Sequence, residues 1–225
     1  MKNHCLKRVN VALLVCAMAC LVCYDIFGGL WLKGVTSGWF VLLGTVNLWA
    51  ARKLPWKQLR FFVLVEAGLI CDLCADVLLG ISFPVGVTVF ALGHVVYFIA
   101  FCQLEKLQLR DLWFMLPLMA FSMFVVAGTP WVTVEDPALQ ALLLVYAVII
   151  SVMLGKALSN LVRQPSAFRW LVAVGTTLFW FSDIILAVDM FGQSSRLTWI
   201  LCSYAYWPAQ SILAHSLFLK LKEAE

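Results

Sequence analysis

The sequence predicts an all-α fold: a polytopic membrane bundle of eight transmembrane helices with both termini in the cytoplasm. Of its 225 residues, 64% are hydrophobic and only 12% are charged, whereas about 25% of residues are charged in a typical soluble domain. The charged residues lie between long apolar runs, each close to the ~20 residues that cross a hydrocarbon core. Residues 1–225 are therefore expected to form a single transmembrane domain.

Eight apolar segments approach this length, and short connections join them. Their predicted ranges are 9–27, 30–50, 60–80, 83–102, 111–128, 137–156, 168–188 and 198–219. The first follows a basic N-terminus, as a signal peptide would, but its apolar run reaches Phe27 without a small-residue cleavage site, which favours a retained helix. Pro84 opens the fourth helix, where a missing N–H costs little. Pro130 and Pro137 bracket the connection between the fifth and sixth, and Pro208 is expected to kink the eighth.

The basic residues predict the orientation. With the N-terminus in the cytoplasm, fourteen of the 16 Lys and Arg residues fall on the inner side, and the outer side keeps only Lys33 and Arg196. An excess of Lys and Arg in cytoplasmic connections is typical of helical membrane proteins. The bias predicts that both termini are cytoplasmic and that the number of spans is even. The net charge of +4 is thus attributed to topology, and no nucleic-acid partner is expected.

The eight cysteines do not predict a metal site. Cys20 and Cys23, and likewise Cys71 and Cys74, have CxxC spacing, but both pairs lie within predicted membrane helices, where cysteine commonly serves as a small apolar residue. The three histidines are scattered along the chain, whereas a zinc site needs His and Cys ligands that converge. We therefore expect no metal site.

Two acidic residues lie inside these apolar segments, Asp76 in the third helix and Asp183 in the seventh. A carboxylate at membrane depth is costly and is usually kept for a partner or a function. The two occur in similar local sequences, four helices apart, which suggests two parallel four-helix halves. This arrangement predicts that the third and seventh helices face one another across a central cavity.

Other polar residues are expected to reach the same pocket, in the outer half of the bundle. Asp72 lies one helical turn from Asp76, and two carboxyl groups this close do not both ionise readily, so one is expected to keep its proton for acid–base chemistry. His94 shares a helix face with Tyr97. The full set of candidates is Lys33, Asp72, Asp76, His94, Tyr97, Ser182, Asp183, Tyr206 and Gln210.

Structural explanations for several of these residues stay open. Asp72 could bond to a backbone carbonyl, and His94 could be an ordinary buried histidine. Tyr206 and Gln210 could bridge helices by hydrogen bonds. Lys33 could extend to the interface, pair with an acid or bind a phosphate.

Four short motifs, in order along the chain, resemble those of the YhhN family of integral membrane lysoplasmalogenases. They are an Asp in the third helix, an aromatic-x-x-x-His-x-x-Tyr in the fourth, a Phe-x-x-Ser-Asp in the seventh and a Tyr-x-x-x-Gln in the eighth. The matching residues are Asp76; Phe90, His94 and Tyr97; Phe179, Ser182 and Asp183; and Tyr206 and Gln210. The sequence departs from the family pattern at Ala75, where the family has Gly, at Gly34 after Lys33, where it has Pro, and at Asp72, where a small or hydroxyl residue is expected.

The resemblance implies hydrolysis of the vinyl ether bond of a lysoplasmalogen, giving a fatty aldehyde and a glycerophospho-base, with no metal or organic cofactor. It implies that Asp76 and Asp183 share the acid and carboxylate roles, with His94 assisting proton transfer. Tyr97, Ser182, Tyr206 and Gln210, with Asp72 nearby, would position the substrate, and Lys33 would hold its phosphate. The list of expected partners is a lysophospholipid, the bilayer and a second copy of the chain in a homo-oligomer.

Two other classes of protein remain alternatives. A proton-coupled small-molecule or lipid transporter would also have buried acids, a repeat and a kinked helix, although 225 residues leave little protein for two alternating gates unless the chain dimerises. A lipid-binding scaffold would leave the two matched acids without a purpose. The location that the sequence favours is a bacterial cytoplasmic membrane.

Overall fold

The structure, a computed structural model, describes residues 3–224, and within that range it is entirely helical, with eight long α-helices and no strand. A short 3-10 turn, Leu109–Asp111, precedes the fifth helix. The helices are α1 (Asn3–Phe27), α2 (Leu30–Ala51), α3 (Trp56–Leu79), α4 (Phe83–Leu104), α5 (Leu112–Gly128), α6 (Pro137–Arg163), α7 (Ala167–Phe191) and α8 (Arg196–Ala224). The all-α prediction is confirmed. Lys2, one of the basic residues used for the orientation, lies outside the described range.

Six of the eight helices are long and apolar enough to cross a membrane: His4–Phe27, Leu30–Ala51, Phe83–Leu104, Leu109–Gly128, Pro137–Arg163 and Ala167–Phe191. The other two, α3 and α8, have sufficient length, 24 and 29 residues, but are more polar. In α3 the polarity comes from Glu66, Asp72 and Asp76, all of them buried inside the bundle. In α8 it includes the buried Gln210 and Ser211. Both α3 and α8 therefore direct polar side chains inward.

The packing of the helices repeats between the two halves of the chain. Consecutive helices contact one another in α1–α4 and again in α5–α8. Between the halves, α2 packs on α8, and the corresponding helices α6 and α4 also pack on each other. Exchanging the halves therefore preserves these contacts. Three other contacts have no counterpart in the opposite half among the described residues: α1 with α8, α3 with α8, and α5 with α7. This pattern supports the two four-helix halves suggested by the sequence.

A buried ionic network lies at the end of the bundle where α4 and α6 end and α7 begins. The Lys156 ammonium lies 2.8 Å from a carboxylate oxygen of Asp111 in the 3-10 turn, and neither side chain is exposed. Beside this pair, Glu105 accepts hydrogen bonds from Arg163 of α6 and Arg169 of α7. The network fixes three helix ends relative to one another.

Candidate active site

A polar cavity lies among α1, α2, α3, α4, α7 and α8. Its polar side chains include Lys33, Asp76, Ser182, Asp183, Asp189 and Tyr206, and its aromatic walls include Tyr24, Phe90, Trp199 and Trp207. Although α3 and α7 do not pack on each other within the described range, Asp76 and Asp183 both line this one cavity. The polar cavity is therefore the place where the two predicted acids come together.

Asp76 is held by side chains from two other helices. The hydroxyl groups of Ser37 in α2 and Tyr206 in α8 both donate to its Oδ2, the latter at 2.8 Å. Lys33 of α2 places its Nζ 3.6 Å from Oδ1. Trp207 in turn donates to the Ser37 hydroxyl at 3.1 Å. Asp76 therefore has a cation on one oxygen and two hydrogen-bond donors on the other, an environment that suits a carboxylate.

Asp183 has a different set of neighbours. The Tyr146 hydroxyl of α6 donates to its Oδ2, and the Nε2 atom of His94 lies 3.4 Å from the same oxygen. His94 Nε2 and the Tyr146 hydroxyl are also 2.8 Å apart. The His94 ring is fully buried, packs edge-to-face on Phe179, and its Nδ1 has no hydrogen-bond partner among residues 3–224. The site thus joins a carboxyl group, a phenol and an imidazole in one triangle.

Asp76 and Asp183 have partners on equivalent helices of the two halves, as the repeat predicts. Each Asp lies on the third helix of its half and receives one contact from the second helix of that half and one from the fourth helix of the other half. For Asp76 these are Ser37 and Tyr206; for Asp183 they are Tyr146 and His94. The residue types differ, however, and an ammonium ion lies only beside Asp76. The two carboxyl groups therefore have different partners at equivalent positions. Such a difference allows one carboxyl group to act as an acid and the other as a base.

Three of the candidate residues form a separate buried cluster. Tyr97 donates to Asp72 at 2.8 Å and to Gln210 at 3.3 Å, and all three side chains are fully buried. None of the three lines the polar cavity. The expected association of His94 with Tyr97 is also corrected, because His94 bonds to Tyr146 whereas Tyr97 bonds to Asp72. Residues three positions apart on a helix differ by about 60° in direction, enough here to reach different neighbours.

Lys33, Ser182 and Tyr206 line the polar cavity, whereas His94 lies behind Asp183 and does not line it. Lys33, whose role the sequence left open, is paired with Asp76 and keeps part of its side chain exposed. Ser182 lines the cavity, while its hydroxyl donates to the Phe179 carbonyl at 2.6 Å. Tyr206 contacts Asp76 directly.

Sequence reasoning missed Ser37 and Tyr146, the second-helix partners of the two acids. Serine and tyrosine inside an apolar helix carry no charge and so give no energetic signal of a site. Tyr146 could have been found through the repeat: a polar residue on α6 is expected wherever α2 supplies one to the matching acid. No cluster of three or more His, Cys, Asp or Glu residues able to hold a metal ion occurs in the range 3–224, and the eight cysteines are free thiols.

An all-helical bundle with membrane-length helices and acidic side chains around an interior cavity defines a polytopic membrane protein with an acidic interior site. The YhhN family model matches residues 38–217, a range that runs from within α2 to within α8. The chain belongs to the YhhN family. Lys33 and Ser37, which contact Asp76, lie just before the matched range. Searches of curated proteins and of solved structures found no match.

Proposed function

We propose that this protein is a membrane-embedded ether hydrolase that cleaves the vinyl ether bond of a lysoplasmalogen to a fatty aldehyde and a glycerophospho-base. Membership of the YhhN family is consistent with this activity. The observation that carries the proposal is that Asp76 and Asp183 line one cavity with unlike partners. Hydrolysis of an enol ether needs two such groups, one that donates a proton and one that stays anionic.

The chemistry of the bond explains that need. Protonation of the β-carbon of an enol ether leaves an oxocarbenium ion, which water then captures to form a hemiacetal. A protonated carboxyl group supplies the proton, and a carboxylate stabilises the cation and orients the water. Collapse of the hemiacetal releases the aldehyde and the glycerol hydroxyl. Asp76, Asp183 and His94 form the proposed catalytic set.

Supporting roles follow from the contacts. Lys33 stabilises the anionic form of Asp76. Because Lys33 is partly exposed, it can also bind a substrate phosphate. Tyr206 and Ser182 line the cavity beside the acids. The Asp72, Tyr97 and Gln210 cluster lies outside the cavity lining, so its proposed contribution is to hold α3, α4 and α8 together behind the site.

The proposal includes the membrane topology. In it, residues 1–225 form one domain, all eight helices cross a bacterial cytoplasmic membrane, and both termini are cytoplasmic. The asymmetric distribution of Lys and Arg supports this orientation. The polar cavity then opens in the outer half of the bundle.

The deciding experiment is release of aldehyde from a lysoplasmalogen by the purified protein in detergent. Asp76→Asn and Asp183→Asn should each lower kcat by about 10²- to 10⁴-fold, the usual contribution of a general acid or base. Asp136→Asn is the matched control, since Asp136 caps α6 at the surface and Asn caps a helix equally well. Failure of well-folded wild-type protein to release aldehyde would reject the proposal.

The repeat favours one alternative, a carrier. Two parallel halves around a buried polar site occur in several transporter folds, and the contacts between α2 and α8 and between α4 and α6 follow this arrangement. A proton-coupled carrier of small molecules or lipids would take up its substrate into liposomes when a proton gradient is imposed. Such uptake without aldehyde release would favour the carrier over the hydrolase.

A further inference from the structure

A second, apolar chamber lies beside the polar cavity, among α4, α5, α6 and α7. Its walls include Val87, Val126, Leu143, Ala147, Ile150 and Ala187. Three residues, Phe90, Asp183 and Leu186, line both the apolar chamber and the polar cavity. The two spaces therefore adjoin, and Asp183 is the titratable residue at their junction.

The polar groups in the chamber wall are already bonded to other protein groups. The Ser122 hydroxyl lies 3.0 Å from that of Ser151 and accepts a hydrogen bond from Trp180 Nε1 at 2.9 Å. The Tyr146 hydroxyl is directed to Asp183. A buried water needs two to four polar partners, and apolar cavities that lack them stay dry. Away from Asp183, the apolar chamber therefore suits hydrocarbon better than water.

We propose that the apolar chamber holds the hydrocarbon chain of a single-chain lipid whose polar part occupies the polar cavity. This inference rests on the proposed function and adds the orientation of the substrate. A single-chain amphiphile has an apolar and a polar end that meet at one point, as the two spaces do at Asp183. The polar cavity contains Lys33, which complements an anionic phosphate.

The energetics indicate that the chamber positions the chain and does not attract it. A chain that leaves the bilayer for an apolar cavity exchanges one hydrocarbon environment for another and gains little from the hydrophobic effect. The chain contributes by orienting the substrate. When the chain occupies the apolar chamber, the bond that joins it to the polar group lies at the junction of the two spaces. The shape of the chamber then decides which chains place their reactive carbons correctly.

This orientation assigns the proton donor. In a vinyl ether, C1 bears the ether oxygen and C2 lies on the chain side, so a chain in the apolar chamber brings C2 to Asp183 and directs C1 and the ether oxygen toward Asp76. Protonated Asp183 transfers its proton to C2, the double-bond electrons form the new C–H bond, and an ether-oxygen lone pair forms the oxocarbenium ion. Water attacks C1 and gives a proton to the Asp76 carboxylate.

The remaining steps restore the site. Asp76 returns its proton to the glycerol oxygen as the C1–O bond breaks, and the hemiacetal hydroxyl gives its proton to Asp183. One water is consumed, and both carboxyl groups recover their initial states. His94 and Tyr146, which contact Asp183, hold that proton donor in place.

Photolabelling tests the chain site without hydrolysis. The probe is a 1-O-alkyl lysophospholipid, which has no vinyl ether, with a diazirine at the end of its chain. Mass spectrometry should find the label on α5 and α6 near Val126 and Leu143. Ala147→Phe should abolish this label, whereas Ala141→Phe, on the exposed face of the same helix, should not. Label confined to residues outside the wall of the apolar chamber, or equal in both variants, would overturn the proposal, as would no specific label.

Chain-length dependence gives the second measurement. Filling the chamber in Ala147→Phe should lower the ratio of kcat/KM for a long alkenyl chain to that for a short one by about tenfold, a typical overpacking penalty. Val126→Leu gives a milder filling if the larger residue prevents folding. Chamber labelling without aldehyde would retain the chain site and reject the hydrolase. Aldehyde release with an unchanged ratio in a folded variant would do the reverse.

Discussion

At the scale of single residues, Tyr146 connects the two groups on which proton transfer at Asp183 depends. Its hydroxyl bonds to both the carboxyl group and the His94 ring. Tyr146→Phe removes these bonds and keeps the aromatic ring. Hydrogen bonds to charged groups contribute about 1.5–3 kcal/mol, so we expect kcat for aldehyde release to fall roughly 10- to 150-fold.

The control is Tyr204→Phe. Tyr204 lies on an exposed part of α8, and its hydroxyl donates a hydrogen bond to Asp25 of α1. This variant should retain the wild-type kcat. Thermal unfolding in detergent should be compared for both proteins, so that a loss of activity is not mistaken for a loss of folded protein. A kcat for Tyr146→Phe equal to that of wild type would remove Tyr146 from the proposed mechanism.

Lys33 offers a test between two uses of one cation. Its Nζ lies 3.6 Å from Asp76, so we expect Lys33→Met to lower kcat by about tenfold through Asp76. It should also raise KM, because the same cation complements the substrate phosphate. Lys33→Arg keeps the charge and should retain more activity. A rise in KM at constant kcat would instead indicate that Lys33 binds the phosphate and contributes little to Asp76.

The residue scale also shows what sequence can reveal about a site. Asp76 and Asp183 were predicted because a carboxyl group in an apolar helix is costly enough to require a reason. Tyr146 was not, because a tyrosine in a membrane helix costs little and has many ordinary uses. The sequence shows that Asp72 lies close to Asp76 along the helix. It does not show that Asp72 and Gln210 meet at Tyr97, because those contacts depend on how three helices pack.

At the scale of helices, the end of a helix is hard to predict where a charged side chain near that end is buried. The predicted sixth membrane span ends at residue 156, and Lys156 is among the basic residues that the sequence assigns to the inner side. The structure continues α6 to Arg163 because Lys156 is buried and paired with Asp111. Pairing with a residue 45 positions away is invisible to a reading of local hydropathy.

The Lys156–Asp111 pair predicts an asymmetric response to mutation. Lys156→Met leaves Asp111 buried without its nearest cation, since the guanidinium of Arg163 is 3.9 Å away. This loss should cost about 3–5 kcal/mol and lower the thermal-unfolding midpoint in detergent. The double variant Lys156→Met with Asp111→Leu removes both charges and should recover much of that loss.

Lys220→Met is the matched control, since the Lys220–Glu223 pair is partly exposed and such pairs contribute at most about 1 kcal/mol. The comparison requires the midpoints of all four proteins in the same detergent. A double variant that melts no higher than Lys156→Met would mean that the network contributes more than charge compensation.

At the scale of the whole molecule, the chain folds as two similar halves that exchange contacts at the site. The sequence predicted the halves from two short matching segments, and the observed packing of helices supports them. It did not predict that each acid takes a partner from the opposite half, because a linear repeat does not specify how its copies associate. The consequence is that neither half contains a complete site: Asp76 needs Tyr206, and Asp183 needs His94.

The same repeat makes the topology testable, because two parallel halves of four helices require both termini on one side. A green fluorescent protein fused to the C-terminus should fluoresce in a bacterial host, and alkaline phosphatase at that position should be inactive. Phosphatase fused after Gln193, in the connection between α7 and α8, should be active. Phosphatase fused after Leu107, between α4 and α5, should be inactive.

The polar helices α3 and α8 are the critical ones for this test. If α8 did not cross the membrane, the reporters at Gln193 and at the C-terminus would lie on the same side. If α3 did not cross, the reporter after Leu107 would change sides, and Asp76 and Asp183 would no longer lie on parallel helices.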